Sequence, residues 1–361
     1  MNRVAIAGLA FGCSTAAAQP PSEIRLVRAS GEELAADFTA LLSMRELADG
    51  RLLLTQRGEP GLAVADFQVG SLRPIGRKGR GPGEFELAWS LTALAGDSTV
   101  LCDFSNRWLI LVGDSIVRTV PRDDAVLKAL AHTYACPLGA DRAGRMLTRD
   151  FRPRGSGQDS SDLALVQRVG ATKALVTALR LHPPLFGEQR AVSTPGGGMG
   201  TRRVPLNVAE EGVLFPDGWL AVARIQPYRV DWRSPDGTWV RGRPLPFRSI
   251  PFSQRESDAY ARGRRGVASA PVWPREIPPF AEPPAIKPTP DGLLAVRRVP
   301  TADAPETRVD IIDRTGALRG VVVLGVRERI LGFGAKSVYV VRMDEDDLEY
   351  VRRHPWPATA R

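Results

Sequence analysis

Residues 75–112 read IGRKGRGPGEFELAWSLTALAGDSTVLCDFSNRWLILV, and the reading of their first third decides the fold. Gly76, Gly79, Gly81, Pro82 and Gly83 alternate with Arg77, Lys78 and Arg80 ahead of Glu84 and Phe85. A phosphate-cradling loop offers successive backbone amides and runs straight into a helix, with spacings such as G-x-G-x-x-G. The glycines here fit no such spacing, and the residues after Phe85 are extended and turn-rich. The stretch therefore reads as a hinge that carries the chain from one small sheet to the next.

Outward from the hinge, a turn followed by an apolar run returns six times: ADGRLLLTQ at 48, AGDSTVLCDF at 95, DRAGRMLTRDF at 141, FPDGWLAVAR at 215, TPDGLLAVRR at 289 and GAKSVYVVRMD at 334. Each reads as a turn into a strand, with further extended runs behind it and one apolar piece ahead. About four antiparallel strands per unit, repeated, predict an all-β, six-bladed β-propeller, because a lone four-stranded sheet must bury its faces against neighbours. Spacing is stretched by two insertions. Residues 183–203 read as a flexible loop, and residues 253–266 as a helix with a Ser253–Glu256 capping box and Gly263 at its end. The last unit is one strand short, so the run IRLVRA at 24 is expected to pair into the last blade and close the ring.

The 75–112 stretch resembles an NHL repeat, on Gly79, Gly81, Gly83 and Phe85 for its glycine-rich start, Asp103 at the strand end, and the pair Asn106-Arg107. The proline that the repeat carries after its Phe is absent. The whole chain resembles the secreted bacterial six-bladed propellers of the NHL-like and YncE-like kind. That resemblance implies one propeller over residues 19–357. Phe85 is expected to wedge between blades, and Asp103 and Arg107 to fix a turn by a charge-assisted hydrogen bond.

The first residues read as an export signal over 1–18: Arg3, an apolar run from Val4 to Phe11, and Ala16-Ala17-Ala18 before Gln19. Cys13 leaves a lipoprotein alternative open. The run is too short to span a bilayer, so the mature chain is expected in the periplasm or outside the cell. There, Cys102 and Cys136 either pair or stay buried as small hydrophobes, and the apolar contexts VLCDF and TYACPL favour buried thiols.

A formal charge of +9 and a pI near 10.0 would suit an anionic partner, but the cations are scattered and almost all arginine, with lysine at only five positions. No nucleic-acid partner is expected. The chain has three histidines, His132, His182 and His354, too few and too dispersed for a metal set, and it lacks G-x-S-x-G, C-x-x-C and H-E-x-x-H motifs. His132 is the one catalytic candidate, and neither metal nor cofactor is expected. Asp344–Asp347 reads as a solvated hairpin rather than a calcium loop, and Trp219, Trp232 and Trp239 as blade core. Cations around the insertion helix, Arg255, Arg262, Arg264 and Arg265, are the binding candidates. The expectation is a monomeric, non-enzymatic binding module for a protein or glycan. The alternative is a propeller lyase or hydrolase, resembling the streptogramin lyases or lactonases, with a metal or base in the central funnel.

Overall fold

A computed structural model describes residues 22–26, 31–105, 107–120, 136–150, 205–206, 209–262, 273–282 and 284–357, with the backbone of the strands between 153 and 202. The expected signal segment, Cys13 included, lies outside the described residues. Two strands come first, β1 (Ser22–Arg25) and β2 (Glu32–Phe38). The first complete sheet is β3 (Leu41–Glu46), β4 (Leu52–Gln56), β5 (Leu62–Asp66) and β6 (Ser71–Pro74) in that order. A short parallel pair, β7 (Arg77–Lys78) and β8 (Glu84–Phe85), leads to β9 (Ala88–Ala93), β10 (Ser98–Asp103), β11 (Arg107–Val112) and β12 (Ser115–Val120).

The next unit holds β13 (Met146–Asp150), the hairpin β14 (Pro153–Arg154) and β15 (Gln158–Asp159), then β16 (Asp162–Val169) and β17 (Thr172–Arg180). The expected loop at 183–203 carries another hairpin, β18 (Arg190–Ser193) and β19 (Met199–Arg202), and its remainder lies outside the described residues. The sheet after it is β20 (Glu211–Leu214), β21 (Leu220–Arg224), β22 (Arg229–Arg233) and β23 (Trp239–Val240). Strands β24 (Ile250–Pro251) and β25 (Glu276–Ile277) pair around the insertion helix α1 (Gln254–Arg262). Two more sheets complete the chain: β26 (Ile286–Pro288), β27 (Leu294–Arg297), β28 (Thr307–Ile312) and β29 (Leu318–Leu324), then β30 (Glu328–Phe333), β31 (Ser337–Met343) and β32 (Glu349–Pro355).

The turns joining first to second strands close as their sequences dictate: Gly50, Gly218 and Gly292 take φ of +87°, +88° and +80°, which a side chain would resist. Leu47, Phe215 and Thr289 amides each donate across their turn, at 2.8–2.9 Å. First strands then sit side by side around an axis, β30 against β3, β3 against β9, and β20, β26 and β30 in succession, with β13 against β20. Apolar clusters form between blades rather than within one, so Leu53, Leu62 and Val64 pack with Leu101, Leu109 and Leu111.

Two expectations need correction. Among the described residues the sheets with four or more strands number five, not six: around Asp141 the sheet β13–β16–β17 has three. Among the described residues its inner piece is a single bridge, Ala140 to Met146, beside Gly139, which takes φ +131° and lies where any side chain would clash with the Leu214 backbone. Nor is the run at 24 the strand that joins the last sheet. Ile24 lies on β1, which pairs parallel with β29, and β2 pairs antiparallel with β32. The sequence EELAADF suits that edge, with Leu34 and Phe38 turned into the core and Glu32 and Glu33 paired to Arg353 and Arg352. Deleting residues 19–30 should therefore lower the melting temperature only slightly. Extending the deletion through Phe38 exposes the core face of β32 and removes two buried side chains, a loss of about 4 kcal/mol that thermal melts of both truncations will separate.

Candidate ligand sites on the propeller axis

The glycine-rich hinge lies between β6 and β9, joining the outer strand of one blade to the inner strand of the next. Phe85 is 4 % exposed, in the apolar cluster that both blades share. Asp103 and Arg107 clamp the loop. The Asp103 carboxylate accepts from the Glu86 and Leu87 amides at 3.0 and 2.9 Å and from Arg107 Nε at 2.9 Å. Arg107 in turn donates to the Gly79 and Glu84 carbonyls at 2.7 and 2.8 Å. Gly79 and Gly81 carry no side chain because the Glu84 carboxylate fills that space, held by the Gly81 amide at 2.8 Å and Arg77 at 2.6 Å. Gly83 takes φ +74° at the last bend. Arg77 and Arg80, paired to Glu84 and Glu86, thus serve the loop itself. Asn106 lies outside the described residues.

On the face where β27 ends, α1 roofs a pocket of about 290 Å³ between the last two sheets. Glu256 does not close a capping box; its carboxylate accepts from the Ala302 amide at 2.8 Å and ties the helix to the β27–β28 loop. Tyr260 donates to Glu282 at 2.7 Å and packs edge-on against Trp273, which stacks on Phe252 at 4.7 Å. Three arginines of its lining are fixed in ion pairs, Arg298 with Asp310 at 2.8 Å, Arg327 with Asp347 at 2.6 Å and Arg329 with Glu349 at 3.0 Å, and Glu349 lines the pocket too. Val299, Val326, Val341 and Met343 supply apolar wall, and Val326 is 61 % exposed.

The opposite face carries the first-to-second strand turns, and there a funnel of about 760 Å³ descends along the axis between the inner strands. Arg45 binds its wall through the Gly96 carbonyl at 2.9 Å and Thr99, and Glu46 takes the Tyr339 hydroxyl at 2.6 Å. Lys287, half-buried on β26, lines the funnel. Deeper in, Glu211 accepts from the Ala285 amide at 3.0 Å, and burial pushes its carboxyl up against the pull of Arg149 and Arg297.

The chain matches no family model, and no curated protein matches it. Among solved structures, a member of the DUF4221 family from Bacteroides vulgatus superposes with a TM-score of 0.52 at 10% identity, over 91% of this chain and 97% of that one. The fold is an all-β propeller. A Bacteroides fragilis protein named as a suspected exported protein superposes at 0.49 with 12% identity, over 92% and 99% of the two chains. Streptogramin B lyase superposes at 0.42 with 12% identity, over 91% and 87%. Identities this low speak to the fold alone.

His132, Arg264 and Arg265 lie outside the described residues, as does the Arg262 side chain at the end of α1. Gly263 and His182 do too. Arg255 stands on the helix exterior in an exposed pair with Asp303 at 2.7 Å, turned to solvent, and is not among the residues lining the pocket. His354 is buried in the last blade. Asp344 folds its own hairpin by accepting from the Asp346 and Leu348 amides at 3.0 and 2.9 Å. Trp232 is blade core, Trp219 packs on it edge-on at 6.3 Å, and Trp239 is 39 % exposed on the outer strand. Among the described residues no helix is long and apolar enough to cross a membrane, and no three His, Cys, Asp or Glu side chains converge as a metal set. Sequence reading missed Lys287 and the α1 pocket lining. Both need residues from several blades, and IKPTPDG carries no pattern that marks its lysine.

Proposed function

We propose that the protein is an exported, monomeric, non-enzymatic binding propeller that takes a glycan segment on the face carrying α1. One observation carries this reading: Arg298, Arg327 and Arg329 of the pocket lining are each already matched by a carboxylate within the fold, beside an aromatic and aliphatic wall. Such pairs offer rigid donors and acceptors without net charge, which suits hydroxyl groups that both give and take hydrogen bonds. The Tyr260 and Val326 surfaces can cover the apolar face of a sugar ring. The positive start, apolar run and Ala16-Ala17-Ala18 site support export to the periplasm or beyond.

The test is calorimetric titration with a panel of soluble neutral and acidic oligosaccharides, comparing wild type with Tyr260→Ala. At least one sugar should bind, and the variant should bind it about tenfold more weakly, a loss of about 1.4 kcal/mol. Silence across the panel, or equal affinity for both proteins, removes the glycan. Selective capture of a protein from envelope extract by wild type alone would put a protein in its place. The alternative, a propeller lyase or hydrolase with a metal or base in the central funnel, draws on one feature, the half-buried amine of Lys287. Stoichiometric metal in the purified protein would favour that alternative.

A further inference from the structure

Alternation along β26 turns Ile286 into the core and Lys287 into the axial funnel, on the face opposite α1. The funnel lining is mixed, with Leu91, Leu94, Leu214, Leu331 and Phe333 beside the charged Arg45, Glu46 and Asp97. Among the described residues the Lys287 ammonium has no ion pair and no hydrogen bond. Its charged surroundings are Arg329 from β30, Arg297 from β27 and Glu211 from β20, and Glu211 is already committed to the Ala285 amide. A half-buried ammonium with no carboxylate of its own, next to Arg297 and to an Arg329 already matched by Glu349, is costly, and that cost is relieved in either of two ways. The amine sheds its proton, or an anion joins it.

Burial, Arg329 and Arg297 together lower the ammonium pKa to about 8, with Glu211 opposing them. At about pH 7.5 roughly a quarter of such an amine is neutral, against about a thousandth of an ordinary lysine. A neutral amine in a positive field is the combination that activates lysine toward carbonyl compounds. We propose that Lys287 is a covalent binding site for a small oxo acid, an aldehyde or ketone that carries a carboxylate, entering by the funnel. The Nζ lone pair attacks the carbonyl carbon, the C–N bond forms as the C=O π pair moves to oxygen, and the carbinolamine then expels that oxygen as water. The product is an iminium whose positive charge sits beside the carboxylate brought by the ligand. No electrons are gained or lost, and hydrolysis returns both partners. Arg297 and Arg329 border both sites, but Lys287 does not line the glycan pocket, so its adduct and sugar binding are read independently.

The full-length protein incubated with glyoxylate and cyanoborohydride at about pH 7.5 tests it, with adducts located by peptide mass. Lys287 should be alkylated about tenfold or more in excess over the exposed Lys78 and Lys336. Acetaldehyde, which lacks the carboxylate, should give a clearly smaller excess at the same concentration. Lys287→Met should lose the funnel adduct while keeping the surface ones, and Lys287→Arg, which keeps the charge, should do the same. Uniform labelling of the three lysines, an unlabelled Lys287, or equal selectivity for the two aldehydes overturns the proposal.

Discussion

Replacing Asp103 by alanine should cost about 3–5 kcal/mol of stability and lower Tm by on the order of 10 °C, the largest effect expected of any single substitution here. The carboxylate has no exposed surface, and its removal leaves the Arg107 guanidinium buried without its counter-charge and the Glu86 and Leu87 amides without an acceptor. Arg107 also holds the Gly79 and Glu84 carbonyls, so the hinge loses its clamp at both ends. Asp103→Asn, which keeps one acceptor oxygen, should lose less. Denaturant melts will decide, and a loss under about 1 kcal/mol for the alanine variant would show that the hinge is held by Phe85 packing alone.

The same carboxylate gives a pH signature. Burial pushes its pKa up, but hydrogen bonds from Ser105, Leu87, Arg107 and Glu86 outweigh burial and hold it below the ordinary value. A carboxyl depressed in the folded state contributes stability that is complete above its unfolded pKa of about 3.9 and is lost as pH falls through the folded value. Stability of the wild type should therefore fall below about pH 4, more steeply than that of Asp103→Ala.

The second large effect concerns Cys102 and Cys136. Sequence context favours two buried thiols, and the structure joins them instead, with Cα atoms 5.4 Å apart across 34 residues of chain. Cys102 sits in the core cluster of Val100, Trp108 and Met146, and the bond pins the entry of the three-stranded unit to the complete blade before it. Closing a loop of that length stabilises by about 3–4 kcal/mol in the chain-entropy account. The double variant Cys102→Ser/Cys136→Ser should melt lower by a comparable amount. Alkylation of the native protein without reductant should leave both peptides unmodified, and two alkylated thiols would contradict the bond.

Burial alone could not separate the two cysteine states, since a half-cystine and a free thiol both prefer apolar surroundings. Other features were legible because they are local. Asp-Gly and Pro-Asp-Gly turns need only the positive φ of their glycine, and the runs behind them are short, continuous and buried on both faces. The hinge could be separated from a phosphate loop by its glycine spacing and by the extended, helix-free run after Phe85. Strand Glu32–Phe38 escaped notice because its two glutamates look solvent-bound until Arg352 and Arg353, more than 300 residues on, come alongside. The more apolar run at Ile24 drew the prediction and proved to pair elsewhere.

The chain's own order of residues settled the repeated turn-and-strand rhythm and the all-β class, because turns and short apolar runs depend on neighbours a few positions apart. Folding in three dimensions settled the number of complete blades, which N-terminal segment meets β32, the bond from Cys102 and the surroundings of Lys287. Those depend on contacts between residues far apart in the chain, such as Gly139 packed against the Leu214 backbone of the next blade, which no local pattern marks.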